Sequence, residues 1–166
     1  MSRFKTPPVD INTVDLYHIK GNIVFYRPNG VAGKAILLFA KKYSHTALIL
    51  DKDHELDAEW KRGVTINAPD WSRKIDMVKL PFDKVAYDLT WKKYKDGGYG
   101  KRQLFGMAFR RWRIISTKGA VCSELMAFYL MNHRWIKEKG IKLDEKDPNY
   151  YTPYMVYKLA RKMRDA

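Results

Sequence analysis

Ser44-His45-Thr46-Ala47-Leu48-Ile49-Leu50, Asp51-Lys52-Asp53-His54 and Glu55-Leu56-Asp57-Ala58-Glu59-Trp60 follow one another, and their reading decides the fold. The first run is β-branched and apolar, which suits a buried strand. The charged tetrad is a turn, and the third run returns as the partner strand of a hairpin. Working outward, Asn22 to Arg27 is a further strand, stopped by the turn cluster Pro28-Asn29-Gly30. Val31 to Lys42 has helical spacing, with Ile36, Leu37, Phe39 and Ala40 on its apolar side. Val64-Thr65-Ile66 and the run Ile75 to Leu80 complete a mostly antiparallel sheet. After Pro81 the character becomes helical. Phe82 to Lys95 is a helix closed by Gly97-Gly98, Lys101 to Trp112 a strongly basic one, and Val121 to Asn132 one apolar on nearly every side, hence central. Thr152-Pro153 is an N-cap and first-turn pair that opens a last helix to about Met163. A run of strands followed by a run of helices is an α+β layout. The 166 residues are expected to form a single domain, 1–166, with residues 1–12 as an N-terminal arm.

Composition narrows the chemistry. With 46% hydrophobic residues the chain can bury a core, which excludes wholesale disorder. The 32 Lys+Arg against 18 Asp+Glu leave a net charge of +14, which calls for a polyanionic partner: nucleic acid, a phosphorylated cell-wall polymer or anionic lipid. Cys122 is the one cysteine, so an intrachain disulfide and any multi-cysteine metal site are excluded. His18, His45, His54 and His133 include no pair at i, i+4, and no metal or organic cofactor is expected. The first residues lack the apolar core of a secretory signal, and Ala35 to Ala40 falls short of the roughly 20 apolar residues that span a bilayer. The expectation is a protein that is cytoplasmic as synthesised.

Gly119-Ala120-Val121-Cys122-Ser123-Glu124-Leu125-Met126 places Cys122 at a helix N-terminus, where the dipole and unpaired N–H groups favour a thiolate. Those N–H groups also suit the oxygen of a tetrahedral intermediate. A lone cysteine is most often core filler; here a base is also at hand. His45 opens a buried strand, a rigid mount for a group that must take a thiol proton. The hairpin brings Asp57 and Glu59, which share one strand face, alongside it. Either carboxylate could hold the second ring N–H; strand alternation alone leaves both open.

Taken together, Gly21 to Pro28, Tyr43 to Ile49, Asp57-Ala58-Glu59-Trp60 before Gly63-Val64, and Val121-Cys122-Ser123-Glu124-Leu125 resemble the circularly permuted papain-like cysteine hydrolases. These are the YiiX-like branch of the NlpC-type amidase superfamily, related to the lecithin:retinol acyltransferase-like proteins. The resemblance spans roughly residues 20–155 and implies a permuted papain-like fold with the histidine ahead of the cysteine. It implies Cys122 as nucleophile, His45 as base and Asp57 as the orienting residue, with Glu59 a close second. Asn22 stands where the family carries a strand aspartate, which marks a diverged member.

The basic stretch ahead of the nucleophile helix, with Arg110, Arg111, Trp112 and Arg113, is expected to line a substrate groove together with Tyr43. Arginine forks suit phosphate and carboxylate groups, and an indole suits a sugar or base. The expected activity is that of a cysteine amidase or peptidase cleaving an amide bond in an anionic polymer, foremost a peptidoglycan stem peptide. A source in a phage particle or a delivery to the cell envelope would fit. The competing expectations are a lipid acyl hydrolase or acyltransferase, and a non-catalytic virion-structural or nucleic-acid- or envelope-binding protein on the same scaffold.

Overall fold

In a computed structural model, described over residues 19–29, 42–59, 62–99 and 119–166, the apolar runs of the first half pair as one five-stranded antiparallel sheet. Its strands are β1 (Ile23–Tyr26), β2 (His45–Ile49), β3 (Glu55–Glu59), β4 (Gly63–Asn67) and β5 (Ile75–Val78). Their order across the sheet is β4-β3-β2-β1-β5. Register sorts the side chains. Ile23 lies opposite Leu48 and Tyr26 opposite His45, while Leu56 lies opposite both Leu48 and Ile66. Alternation then sends Ile23, Phe25, Leu48, Leu56, Ala58 and Val78 into the main core, and Val24, Tyr26, Ala47, Ile49 and Ile75 into a smaller one.

The main core is roofed by helices. α1 (Lys84–Tyr94) starts where the Asp83 carboxylate accepts from the Ala86 N–H, an N-cap that satisfies one of the orphan donors of the first turn. Two short parallel strands, β6 (Gly98–Tyr99) and β7 (Gly119–Ala120), lead to α2 (Cys122–Asn132). α2 buries Cys122 through Ala127, Tyr129 and Leu130, the all-round burial that its composition predicts. α3 (Arg134–Glu138) is a short turn of helix capped by the His133 ring. A 3₁₀ turn at Pro148–Tyr150 precedes α4 (Pro153–Asp165), whose Thr152 cap and leading proline are as the sequence predicts. α4 turns Val156, Leu159, Ala160 and Met163 inward and its cations outward. The described residues thus form an α+β protein with four helices, none long and apolar enough to cross a membrane.

Two glycines let backbone approach backbone. Gly21 has φ of +93°, and a Cβ there would sit 2.4 Å from the Phe82 nitrogen. Gly63, at φ +76°, would place one 2.6 Å from the Gly97 carbonyl oxygen. Both conformations lie in the left-handed region that favours glycine. Asn22 adds a further tie at the start of β1. Its side-chain oxygen accepts from the Leu80 N–H at 3.3 Å, while its amide points at the Met77 sulfur.

The predicted helices over Val31 to Lys42 and Lys101 to Trp112 fall, but for Lys42, outside the described residues, as does the predicted arm over residues 1–12. Gly98, expected only to end a helix, begins β6 instead.

Candidate active site

Cys122 is the first residue of α2. The residue before it, Val121, has extended backbone and makes no side-chain cap bond, and Glu124 is the acid of the helix's first turn. The thiol is almost buried, with 6% exposure, at the margin of the main core.

His45, at the N-terminal end of β2, is hydrogen-bonded to Asp57 and lies close enough to Cys122 for the two to interact electrostatically. Its Nε2–H donates to the Asp57 Oδ2 at 3.1 Å, which leaves Nδ1 as the nitrogen to meet the sulfur. The tautomer follows from that assignment: a carboxylate can only accept, so the proton sits on Nε2. Burial works against a charged imidazole. The Cys122 sulfur and the Asp57 carboxylate outweigh it and hold the His45 pKa well above its ordinary value.

Asp57 is itself fixed. Its second oxygen, Oδ1, accepts from the Asn67 side-chain amide at 2.9 Å, across the β3–β4 ladder. One oxygen therefore faces the histidine and the other is tied to β4, so the carboxylate cannot rotate without losing both bonds. Glu59, two residues further along that strand face, is instead bonded to the Arg62 guanidinium at 2.7 Å, at the surface. The structure thus chooses Asp57 over Glu59, which strand alternation alone could not do.

A further carboxylate that sequence reasoning missed lies beside this pair. Glu55 is 4% exposed and accepts the Tyr26 hydroxyl proton at 2.5 Å. Tyr26 is the residue directly opposite His45 on β1, and the two rings are 5.5 Å apart. Burial, aided by Asp57, pushes the Glu55 carboxyl up to about 7, against the downward pull of Tyr26, His45 and Arg73. One ligand-type atom each from His45, Glu55 and Asp57 lies within 4.8 Å of the others, so these are the described residues that could gather on a cation. Their facing atoms are already engaged with one another or with the Tyr26 proton.

Tyr43, expected at the groove, is a core residue. Its ring is fully buried, 5.2 Å from Phe25 and 5.0 Å from Tyr157, because the strand that carries His45 brings its preceding aromatic under α4. Arg110, Arg111, Trp112 and Arg113 lie outside the described residues. Glu124, flanking the cysteine, is buried and accepts from the Tyr94 hydroxyl at 2.9 Å, joining α2 to α1. A cavity of about 330 Å³ along α4, lined by Lys142, Tyr151, Tyr157, Lys158, Lys162 and Asp165, includes none of the residues around Cys122.

The arrangement can do defined chemistry: a thiol at the positive end of a helix, a base near it, and a carboxylate holding the base. A scan against protein-family models, a search of curated proteins and a search of solved structures found no match to this chain.

Proposed function

We propose that this protein is a cysteine hydrolase of permuted papain-like type that cleaves an amide bond through a thioester on Cys122. The observation that carries this reading is the single imidazole that is bonded to a buried aspartate and interacts with a cysteine on a helix N-terminus. In the reaction the Cys122 thiol proton passes to His45 and the sulfur attacks the carbonyl carbon. The oxyanion that forms lies at the start of α2, where the helix dipole and first-turn N–H groups favour negative charge. The imidazolium then protonates the departing amine, the C–N bond breaks and an acyl-thioester remains. His45 next takes a proton from water, which attacks the thioester and releases a carboxylic acid and the free thiol. Asp57 keeps Nε2 protonated and the ring in plane throughout.

The net charge of +14 supports an anionic polymer as substrate, and a peptidoglycan stem peptide combines amide bonds with carboxylates. The test is intact-protein mass spectrometry during turnover of peptidoglycan fragments. Wild-type protein should release amine and carry an acyl adduct on Cys122, and Cys122→Ser should do neither. If no amide or ester is cleaved, and iodoacetamide reaches Cys122 only on unfolding, the reading fails. Salt-sensitive binding of plain duplex or single-stranded nucleic acid would then favour the binding-protein alternative that the same charge supports.

A further inference from the structure

The buried Glu55 is unexplained by the reaction just described. A carboxyl group at 4% exposure needs a reason to be there, because burial of an ionised oxygen is costly. Its surroundings can be read element by element. From β1, Tyr26 donates its hydroxyl proton to Oε2. From β2 the His45 ring stands beside Tyr26, and from β3 Asp57 lies two residues along the same face. From β4 the uncharged Asn67 is directly opposite. From the loop before β5, the Arg73 guanidinium covers the Tyr26 ring at 4.9 Å and donates to the Ser44 hydroxyl beside His45.

His45 is therefore flanked by two carboxyl groups with different attachments. Asp57 is bonded to the ring. Glu55 is withheld from it by Tyr26, yet close enough to act through space.

We infer that Glu55, clamped by Tyr26, is a positioning residue whose charge governs how firmly His45 keeps its proton. The inference rests on the cysteine-hydrolase reading. With Glu55 neutral, the imidazolium faces Asp57 and the Cys122 sulfur. When Glu55 ionises, an added negative charge stabilises the imidazolium, which becomes a weaker acid toward the departing amine. Burial and the Tyr26 bond oppose each other in setting where this change falls, at a carboxyl value of about 7.

The experiment follows the His45 ring nitrogens by NMR across pH in wild type, Glu55→Gln and Tyr26→Phe, with iodoacetamide alkylation of Cys122 across the same range. Glutamine keeps the volume and can still accept the Tyr26 proton, but carries no charge. Its His45 midpoint should fall by about one pH unit, the low end for loss of a carboxylate within 4–6 Å, and the alkylation profile should move with it. Tyr26→Phe keeps the carboxyl but removes its donor, so Glu55 ionises at higher pH and the His45 midpoint moves the same way by less. If Glu55→Gln alters the melting temperature and leaves the His45 midpoint in place, Glu55 is a structural brace only and the inference is overturned. Fast alkylation that needs His45 but ignores Glu55 sinks the inference and leaves the hydrolase reading standing. A shifted His45 midpoint with a thiol that reacts only on unfolding does the reverse.

Discussion

Of the three histidine–aspartate pairs among the described residues, His54 with Asp51 is an exposed turn contact, and the two buried ones do opposite things. His45 and Asp57 meet at 3.1 Å beside a thiol, whereas His133 and Asp83 lie 3.9 Å apart among helix ends. The second pair is used up by backbone. The His133 Nε2–H donates to the Pro81 carbonyl at 3.0 Å and its Nδ1 accepts from the Trp135 N–H at 3.2 Å. Asp83 takes the Ala86 and Arg134 N–H groups at 3.0 and 2.8 Å. Neither side chain keeps an atom for a reacting group, so this pair staples α1 to α3. In the first pair one ring nitrogen is left to face a sulfur. What separates a site from a staple is which partners complete the hydrogen bonds, with residue type the same in both.

That contrast can be broken by substitution, starting with the largest effect. On the proposed hydrolase reading, Cys122→Ser should abolish amide hydrolysis, and His45→Ala should lower it by about 10²–10⁴-fold, the usual worth of a general acid–base. Both variants should still fold, Cys122→Ser with its melting temperature nearly unchanged, and the double variant should be scarcely less active than Cys122→Ser alone, because in the proposed mechanism the two act as a unit. Strictly additive losses in calorimetry-matched assays would separate them mechanistically. Asp57→Asn should reduce turnover by less than His45→Ala, since in the proposed mechanism it orients the base without touching substrate.

His133→Ala should invert the pattern. It orphans the Trp135 N–H and the Pro81 carbonyl, which costs on the order of 1–3 kcal/mol, a fall of several degrees in thermal denaturation. Alkylation of Cys122 in the folded protein should not change. A loss of thiol reactivity at an unchanged melting temperature would mean that the staple is part of the site.

The pH dependence of stability sharpens the contrast further. Burial tends to raise the Asp83 carboxyl, but the N–H groups of Arg134 and Ala86 outweigh it and hold the group below its ordinary 3.8. Its folded value is lower than its unfolded one, so its stabilisation is present above 3.8 and is lost as pH falls through the folded value. For His45 the folded value is raised above 6.5, so its stabilisation is complete below 6.5 and is lost as pH rises through the folded value. Melting curves should therefore show an acid limb missing from Asp83→Asn and an alkaline limb missing from His45→Ala. The smallest effect belongs to Glu59→Gln, which breaks an exposed pair with Arg62 and should leave turnover and melting within error.

Much of this was legible in the chain. Apolar and β-branched runs between turn clusters located all five strands of the sheet, and Thr152-Pro153 announced α4. The positions of Cys122 and His45, at a helix start and a strand start, were readable because both signals are local. Three features were not. β6 and β7 are two residues each, too short for any periodicity to show. Glu55 follows a charged turn and looks like its continuation; its burial depends on Tyr26, 29 residues away. His133 as a helix cap carries little local signal, since Ser, Thr, Asp and Asn dominate that position. The burial of Tyr43 was not legible because its partner Tyr157 comes from the far end of the chain.

The close backbone approaches at Gly21 and Gly63 limit how far this sequence can drift. Each pins one end of a strand against the segment that leads into or out of α1, and a single methyl group would collide with main chain at either place. In a saturation library selected only for folding, both positions should be stripped of every alternative, alanine included. The exposed turn at Asp51–His54 should tolerate nearly anything. Relatives that keep this sheet would then be found more reliably by those two glycines and their spacing than by the surface between them.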